Sequence, residues 1–510
     1  MENKLIFGKS SIQRIVAIEV TDPHVELFMQ DEQGNITIEQ QPNRYWILAS
    51  KQPDKDWVKL KGDLHYKYGK QYINRNDFTR QRHVYSKQYR DIFTIWNAQE
   101  ATMVKDGYTL FKGMKAKDVS VLAFDLETTG TKMDINSFVV LIANTYRDAL
   151  GVVTRKMFCY DEYHSQAAMI EAWASWVRSV DPTVICGHNI NTFDLPYLQN
   201  VADFEGIDLE LGRDGSAVKF DNRDSKFRKE GGQTISYRKC KIFGRHVIDT
   251  FFLAIKHDQA SRKYENYKLK NIIAQEGLEQ EGRQFYDAAT IKDNYKIPSE
   301  LVKIKSYAQF DGDDALALYD LMCPAYFYFT QSVPKTYQSI LESSTGAPLN
   351  AILLRAYLQD GHSIPKASDI TEKVEGGISF AVPGIYKNLL KVDLKSAYPS
   401  QILRFKLFDK NKDPEGYFYE MVKYFTYERF DLKDMYKKTT DKYYSDREQS
   451  GKVVINSAYG LTNTNGLNFN SQEVASKITG ETRELIDMAL KWASGKDKHY
   501  WINLFEEKTK

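Results

Sequence analysis

No apolar run in this 510-residue sequence approaches the roughly 18 residues that a bilayer-spanning helix needs. The Met1 end also lacks the basic, apolar and small-residue order of an export leader. A membrane role is therefore not expected, and the chain is expected to be soluble and cytoplasmic. Cysteine is scarce: Cys159, Cys186, Cys240 and Cys323 lie in apolar surroundings and form no CxxC pair. They read as reduced core thiols, which argues against a zinc site or a disulfide framework. Net charge is nearly absent, since 70 Lys and Arg face 68 Asp and Glu. A nucleic-acid partner would have to be held by local basic patches and not by a global field. Internal repeats and long low-complexity linkers are missing too, so boundaries must come from changes of pattern.

What is plentiful is aromatic: 13% of the residues, with 33 Tyr, many beside Lys or Arg, as in "KYGKQYINRNDFTRQRHVYSKQYR" over residues 67–90. Cations interleaved with rings suit strand backbones and stacked bases, and they suit a solvated surface equally. The length implies roughly three or four domains. Alternating segments ("RIVAIEV", "VELFMQ", "NITIEQ", "RYWILAS"), with "DEQGN" as a hairpin turn, predict a β-rich domain over 1–110. "VSVLAFDLETTG" reads as a buried strand and "FVVLIANTY" as its antiparallel neighbour after a turn at Gly130. "AAMIEAWASWVRSV" carries its apolar residues on one helical stripe, and "TVICGHNI" is a further strand. That alternation predicts an α/β domain over 111–330. "GAPLNAILLRAYLQDG" predicts a helix, "GGISFAVPGIYKNLLKVDL" strands, and the last hundred residues are mostly helical in pattern.

Asp125 and Glu127 stand two apart on a strand and so share a face. Alone, D-x-E is nearly uninformative in a chain with 68 acidic residues. "GHNINTFDLPYL" adds Asn189, Phe193 and Asp194, and "YAQFDGDDALALYDL" adds Tyr307 and Asp311, one helical turn apart. Converging carboxylates repel one another, and a divalent pair would relieve the cost and activate water against a phosphodiester. The order D-x-E, N-x-x-x-F-D, Y-x-x-x-D resembles the three motifs of DEDD proofreading nucleases of the Tyr subtype, as found in B-family DNA polymerases. The resemblance implies a ribonuclease-H-like 3′→5′ exonuclease with Asp125, Glu127, Asp194 and Asp311 as ligands of two Mg²⁺ or Mn²⁺ ions. Tyr307 would orient the attacking water, and Asn189 and Phe193 would hold the frayed 3′ end. "GRHVIDTFFL", with Asp249, and "YKLKNIIAQ" are similar to connecting segments of that domain. Asp313 and Asp314 are near alternatives to Asp311, but only Asp311 has a Tyr four residues before it.

"VDLKSAYPS" (392–400) resembles the first palm motif of the same family, with Ala397 where Leu is usual. The resemblance makes Asp393 a catalytic ligand of both polymerase metals, helped by the Leu394 carbonyl, and Tyr398 the steric gate against a 2′-hydroxyl. In "KVVINSAYG", Lys452, Asn456 and Tyr459 share one helical face, with Gly460 expected to end the helix. This is similar to the family's fingers helix, implying contacts from Lys452 to the triphosphate and from Asn456 and Tyr459 to the nascent pair. A second basic contact usually precedes it, and "YKKTTDK" offers Lys438 or Lys442. "EGGISF" resembles the Gly-Gly segment, so Gly376 and Gly377 would let primer-template approach the backbone. Only 59 positions separate Asp393 from Lys452, which predicts a compact helical hairpin without the insertion of protein-primed relatives.

The family's third palm motif, Y-G-D-T-D-S, has no counterpart, because no D-x-D follows Asp393. The expected organisation is therefore multidomain α/β and α+β: the β-rich domain 1–110, exonuclease 111–330, connecting helices and partial palm 331–408, fingers 409–465, and a palm helix 466–510. The thumb and third palm motif are absent from this list. By this resemblance the chain is the N-terminal portion of a replicative, proofreading polymerase, most similar to those of tailed bacteriophages. It would work in the host cytoplasm if phage-encoded, on primer-template DNA, single-stranded 3′ ends and deoxynucleoside triphosphates, with a separate C-terminal polypeptide carrying the D-T-D hairpin and thumb. Two alternatives remain: a stand-alone 3′→5′ exonuclease whose polymerase remnant grips DNA, and a non-catalytic DNA-binding subunit. The second is disfavoured because Asp125, Glu127, Asp194, Tyr307, Asp311, Asp393, Lys452 and Asn456 all carry the expected chemistry.

Overall fold

The computed structural model describes residues 3–88, 91–229, 233–259, 261–371, 374–377, 384–385, 387, 394 and 396–509. The first alternating segments form strands Ile15–Thr21 and His24–Gln30, and "DEQGN" turns the chain into Ile36–Pro42, giving a three-stranded antiparallel sheet. Gly34 supplies the left-handed turn residue at φ +89°. A second sheet orders Val58–Lys59, Tyr68–Tyr72, Tyr45–Ala49 and Ile92–Phe93. The basic and aromatic stretch enters this sheet and then helix Arg75–Gln88. Three of its rings are packed: Tyr72 and Tyr85 are buried, and Phe78 stacks on Tyr45 at 5.1 Å with Arg82 against its ring at 5.5 Å.

The central five-stranded sheet has the order Val153–Cys159, Val139–Arg147, Val121–Thr128, Val184–Gly187, His246–Asp249. Val121–Thr128 runs antiparallel to Val139–Arg147, as its sequence predicts, and parallel to Val184–Gly187. A middle strand is covered on both faces, and the two-residue period divides its side chains between two cores. Leu122, Phe124 and Leu126 pack with Met169, Trp173 and Leu198 of helices Gln166–Val180 and Asp194–Glu205. Val121 and Ala123 join a different cluster, with Ala315 and Leu318 of helix Pro298–Met322. By the same period Asp125 and Glu127 turn toward that long helix.

Further on, helix Gly346–Gln359 packs against an antiparallel helical hairpin, Tyr417–Thr439 and Lys442–Thr462, in one apolar cluster that reaches Val474 and Ile478 of helix Gln472–Ser494. A short helix, Ala397–Phe405, lies beside them. The stop expected at Gly460 is overruled, since the helix continues to Thr462. Gly460 serves a close crossing instead: a Cβ on Gly346 would stand 2.7 Å from the Leu461 nitrogen and 2.8 Å from the Gly460 carbonyl. Gly346→Ala is therefore expected to destabilise the protein by about 1–3 kcal/mol in thermal or denaturant melts. Helix propensity alone would shift the same variant the other way, by less than the roughly 1 kcal/mol of a helix interior because Gly346 is the first residue of its helix, so the sign of the shift decides. All four cysteines are free and buried. Among the described residues no helix is long and apolar enough to cross a membrane. Most of the segment 376–394 in which strands are expected lies, with Asp393, outside the described residues.

Candidate active sites

Strand Val121–Thr128 delivers Asp125 and Glu127, and helix Pro298–Met322 delivers Asp311 to the same place. Ligand atoms of these three carboxylates all lie within 4.8 Å of one another. Asp194, 3% exposed at the start of helix Asp194–Glu205, stands outside that group of three but close enough to act on Asp125 and Glu127 electrostatically. Burial raises every one of them. Glu127 is pushed up to about 8, with Asp311 and Asp194 adding repulsion. Asp194 rises to about 7, chiefly by burial. Asp125 lies well above the carboxylate range through burial and then the charges of Glu127, Asp194 and Asp311. Such a cluster is costly without cations, and its hard oxygen donors fit divalent metals of the Mg²⁺ type.

Tyr307 is buried one turn before Asp311 on the same helix. Burial and the surrounding carboxylates push its hydroxyl far up, so it stays protonated. Lys270 of helix Leu269–Glu276 donates to that hydroxyl, lies 3.8 Å above the ring centroid and approaches Asp311 Oδ2 at 3.6 Å. Lys270 lies within "YKLKNIIAQ" but was not singled out from the sequence. Arg283 was missed as well: it donates to Asp311 at 2.7 Å and to Asp314. Asp313, the other near alternative, pairs with Arg155 and Thr145 away from the cluster.

The loop after strand Val184–Gly187 carries Asn189 and Phe193. Asp249 fixes it from behind, accepting from the backbone N–H of Asn189 at 2.9 Å and of Asn191 at 3.1 Å while capping helix Thr250–Asp258 through Phe251. Asn189 takes φ +73°, and its side chain accepts from Thr192. Phe193 is half-buried against Tyr197, with ring centroids 5.3 Å apart.

A second constellation forms 70 to 170 residues further along the chain. Tyr398 of helix Ala397–Phe405 meets Tyr459 of the hairpin, with ring centroids 5.2 Å apart. A Cβ on Gly377 would lie 3.5 Å from the Tyr398 hydroxyl, so the Gly-Gly segment joins the two rings. Arg483 holds that segment, donating to the carbonyls of Glu375 and Gly376 at 2.9 Å each. Lys452 is half-buried and Asn456 exposed on helix Lys442–Thr462, and Leu394 is half-buried. Lys438 and Lys442 are both exposed where the two hairpin helices meet. At 1.5 Å per residue, Lys442 stands about 15 Å along the helix from Lys452. Arg429, which the sequence reading did not single out, lies level with Lys452: a Cβ on Gly451 would be 3.6 Å from its Cβ. It donates to Ser396 Oγ at 3.0 Å and pairs with Glu448.

Carboxylates gathered in this way on the middle strand of a mixed five-stranded sheet suit a nuclease-type centre, and residues 103–272 match the family model "DNA polymerase family B, exonuclease domain". An exonuclease domain of that class is present, and the match includes Asp125, Glu127, Asp194 and Lys270. The chain is 24% identical over 409 residues to the DNA polymerase of Archaeoglobus fulgidus, covering 74% of this chain and 48% of that protein. It is 24% identical over 415 residues to the DNA polymerase of Pyrococcus glycovorans, covering 74% and 51%. The chain thus spans about half the length of these curated relatives. The solved family B DNA polymerase of Pyrobaculum calidifontis shares the fold at a TM-score of 0.75 and 17% identity, over 94% of this chain and 71% of that one. The multidomain α/β architecture is therefore similar to that of a family B DNA polymerase. These relatives are archaeal and do not carry the likeness to phage enzymes drawn from the motifs.

Proposed function

We propose that this chain is the N-terminal portion of a proofreading, DNA-templated DNA polymerase, in which the 3′→5′ exonuclease is complete and the polymerase centre is not. The observation that carries the reading is the convergence of Asp125, Glu127 and Asp311 in a chain whose residues 103–272 match the family B exonuclease domain. Two Mg²⁺ or Mn²⁺ ions held there would supply an acidified water and charge neutralisation at the leaving 3′ oxygen. The chain's own residues do the rest. Asp125, Glu127, Asp194 and Asp311 bind the ions, and the protonated Tyr307 hydroxyl orients water. Lys270 brings a positive charge to the scissile phosphate. Phe193 and Asn189, on the loop fixed by Asp249, grip the unpaired terminal nucleotide.

The polymerase reading is supported by the meeting of Tyr398, Tyr459 and Gly377, with Lys452 and Arg429 as cations for a triphosphate. Asp393 and the Leu394 carbonyl would serve the metals, and Gly376 and Gly377 the primer-template. Arg429 is a third candidate beside Lys438 and Lys442 for the second basic contact. In the reconstituted polymerase, Tyr398→Ala should raise ribonucleotide incorporation at least about tenfold, because the ring's bulk is what a 2′-hydroxyl meets. Single-nucleotide incorporation assays check this, and sugar discrimination like that of the parent would remove Tyr398 from the gate role. The test of the whole reading is degradation of a 3′-terminated single strand by the purified chain with Mg²⁺ or Mn²⁺. Failure to shorten the strand under either metal overturns it.

A further inference from the structure

We propose that Arg283 is a positioning residue for the exonuclease metals, fixing Asp311 by bridging it to Asp314; this rests on the metal-site reading above. Arg283 lies between helices Leu269–Glu276 and Pro298–Met322 with its side chain 5% exposed. One terminal nitrogen donates to Asp311 Oδ1 at 2.7 Å and the other to Asp314 Oδ2, one helical turn further on. Asp314 is fully buried, and it is no member of the ligand group of Asp125, Glu127 and Asp311. Gln280, from the same connecting segment, also reaches Asp314.

The planar guanidinium fork explains why arginine suits this place. Two donors in a fixed angle can serve two carboxylates at once, whereas a lysine ammonium would be a point charge near one of them. One oxygen of Asp311 is thereby committed to Arg283, which turns the other, 3.6 Å from Lys270, to the cluster.

A cation beside a metal ligand has two opposed effects. Its hydrogen bond orients the carboxylate, and its charge repels the metal. Here Asp314 neutralises Arg283, so the pair adds no net charge and orientation wins. Without this bridge Asp311 would keep its turn of helix but lose the contact that sets its side-chain rotamer.

The test is Mn²⁺ binding to the full chain without DNA, followed by electron paramagnetic resonance. Arg283→Met combined with Asp314→Leu removes both charges, so neither member of the pair is left buried alone, and Asp311 keeps Lys270 at 3.6 Å, so this variant should fold. Its half-saturating Mn²⁺ concentration is expected to rise about 10–100-fold, the usual cost of losing a partner that orients a ligand. Arg283→Lys should fall in between. Excess Mn²⁺ should return the paired variant to near the parental maximal rate of DNA degradation, a rescue that misfolding would not allow. Affinity within twofold of the parent in the paired variant would overturn the inference and leave Arg283 as a counter-ion for Asp314. Equal Mn²⁺ binding by the parent and by Asp125→Ala would sink the metal site and this inference together. A shifted affinity in a parent that degrades no DNA would leave the inference standing and overturn the proposed function.

Discussion

Exchange of Asp125 and Glu127 for alanine together is expected to abolish the metal-dependent 3′→5′ degradation of single-stranded DNA proposed for this chain. Each carboxylate belongs to the group whose ligand atoms lie within 4.8 Å of one another, and with both gone Asp311 alone remains of the three. Losing the ligands removes several kcal/mol of transition-state stabilisation, on the order of a thousandfold or more in rate. The same exchange should not weaken the fold. Burial and mutual repulsion raise both carboxylates, so their charged forms oppose the native state, and alanine relieves that cost. In metal chelator the double variant should therefore melt at or above the temperature of the parent. Activity falling while stability holds or rises separates a lost site from a misfolded protein. Degradation undiminished in the double variant would place the chemistry elsewhere.

The half of this centre built from local pattern was legible in the sequence. Two-residue spacing on a strand aligned Asp125 with Glu127, and one helical turn aligned Tyr307 with Asp311, because both periods follow from backbone geometry alone. Lys270 and Arg283 were not legible in that way. Each approaches the carboxylates from a segment before the long helix, at a spacing set by tertiary packing, and a lone cation in a chain with 70 of them carries no signal. Arg429 was missed for the same reason, since only the packing of two helices brings it level with Lys452. Gly460 misled in the opposite sense. Its low helix propensity suggested a stop, but the propensity cost of about 1 kcal/mol is smaller than what the close crossing by Gly346 gains in packing. Local rules failed where long-range contact had the larger magnitude.

On the proposed reading, the 510-residue chain by itself is expected to extend a primer negligibly, and extension is expected when a polypeptide bearing the D-T-D strand pair and thumb is added. Nucleotidyl transfer needs two cations held against the triphosphate and the primer hydroxyl. Asp393 alone would leave them under-coordinated, and no D-x-D follows it in the sequence. The surface offers a place where such a partner would dock. Met488 and Trp492, four apart on helix Gln472–Ser494, are 59% and 80% exposed, an apolar pair turned to water on the helix that packs beside Tyr398 and its neighbours. A partner that rebuilds a palm core should bury an interface of the large obligate type, above roughly 2,000 Å². Met488→Lys with Trp492→Glu should then weaken the complex while leaving single-strand degradation intact, since both residues are remote in sequence and packing from the exonuclease carboxylates. The measurement is primer extension by the purified chain with and without the added polypeptide, for the parent and for Asp393→Asn. Robust extension by the chain alone that Asp393→Asn destroys would mean that its second carboxylate lies within these 510 residues. Failure of every added palm and thumb segment to restore extension would leave the chain a DNA-gripping exonuclease.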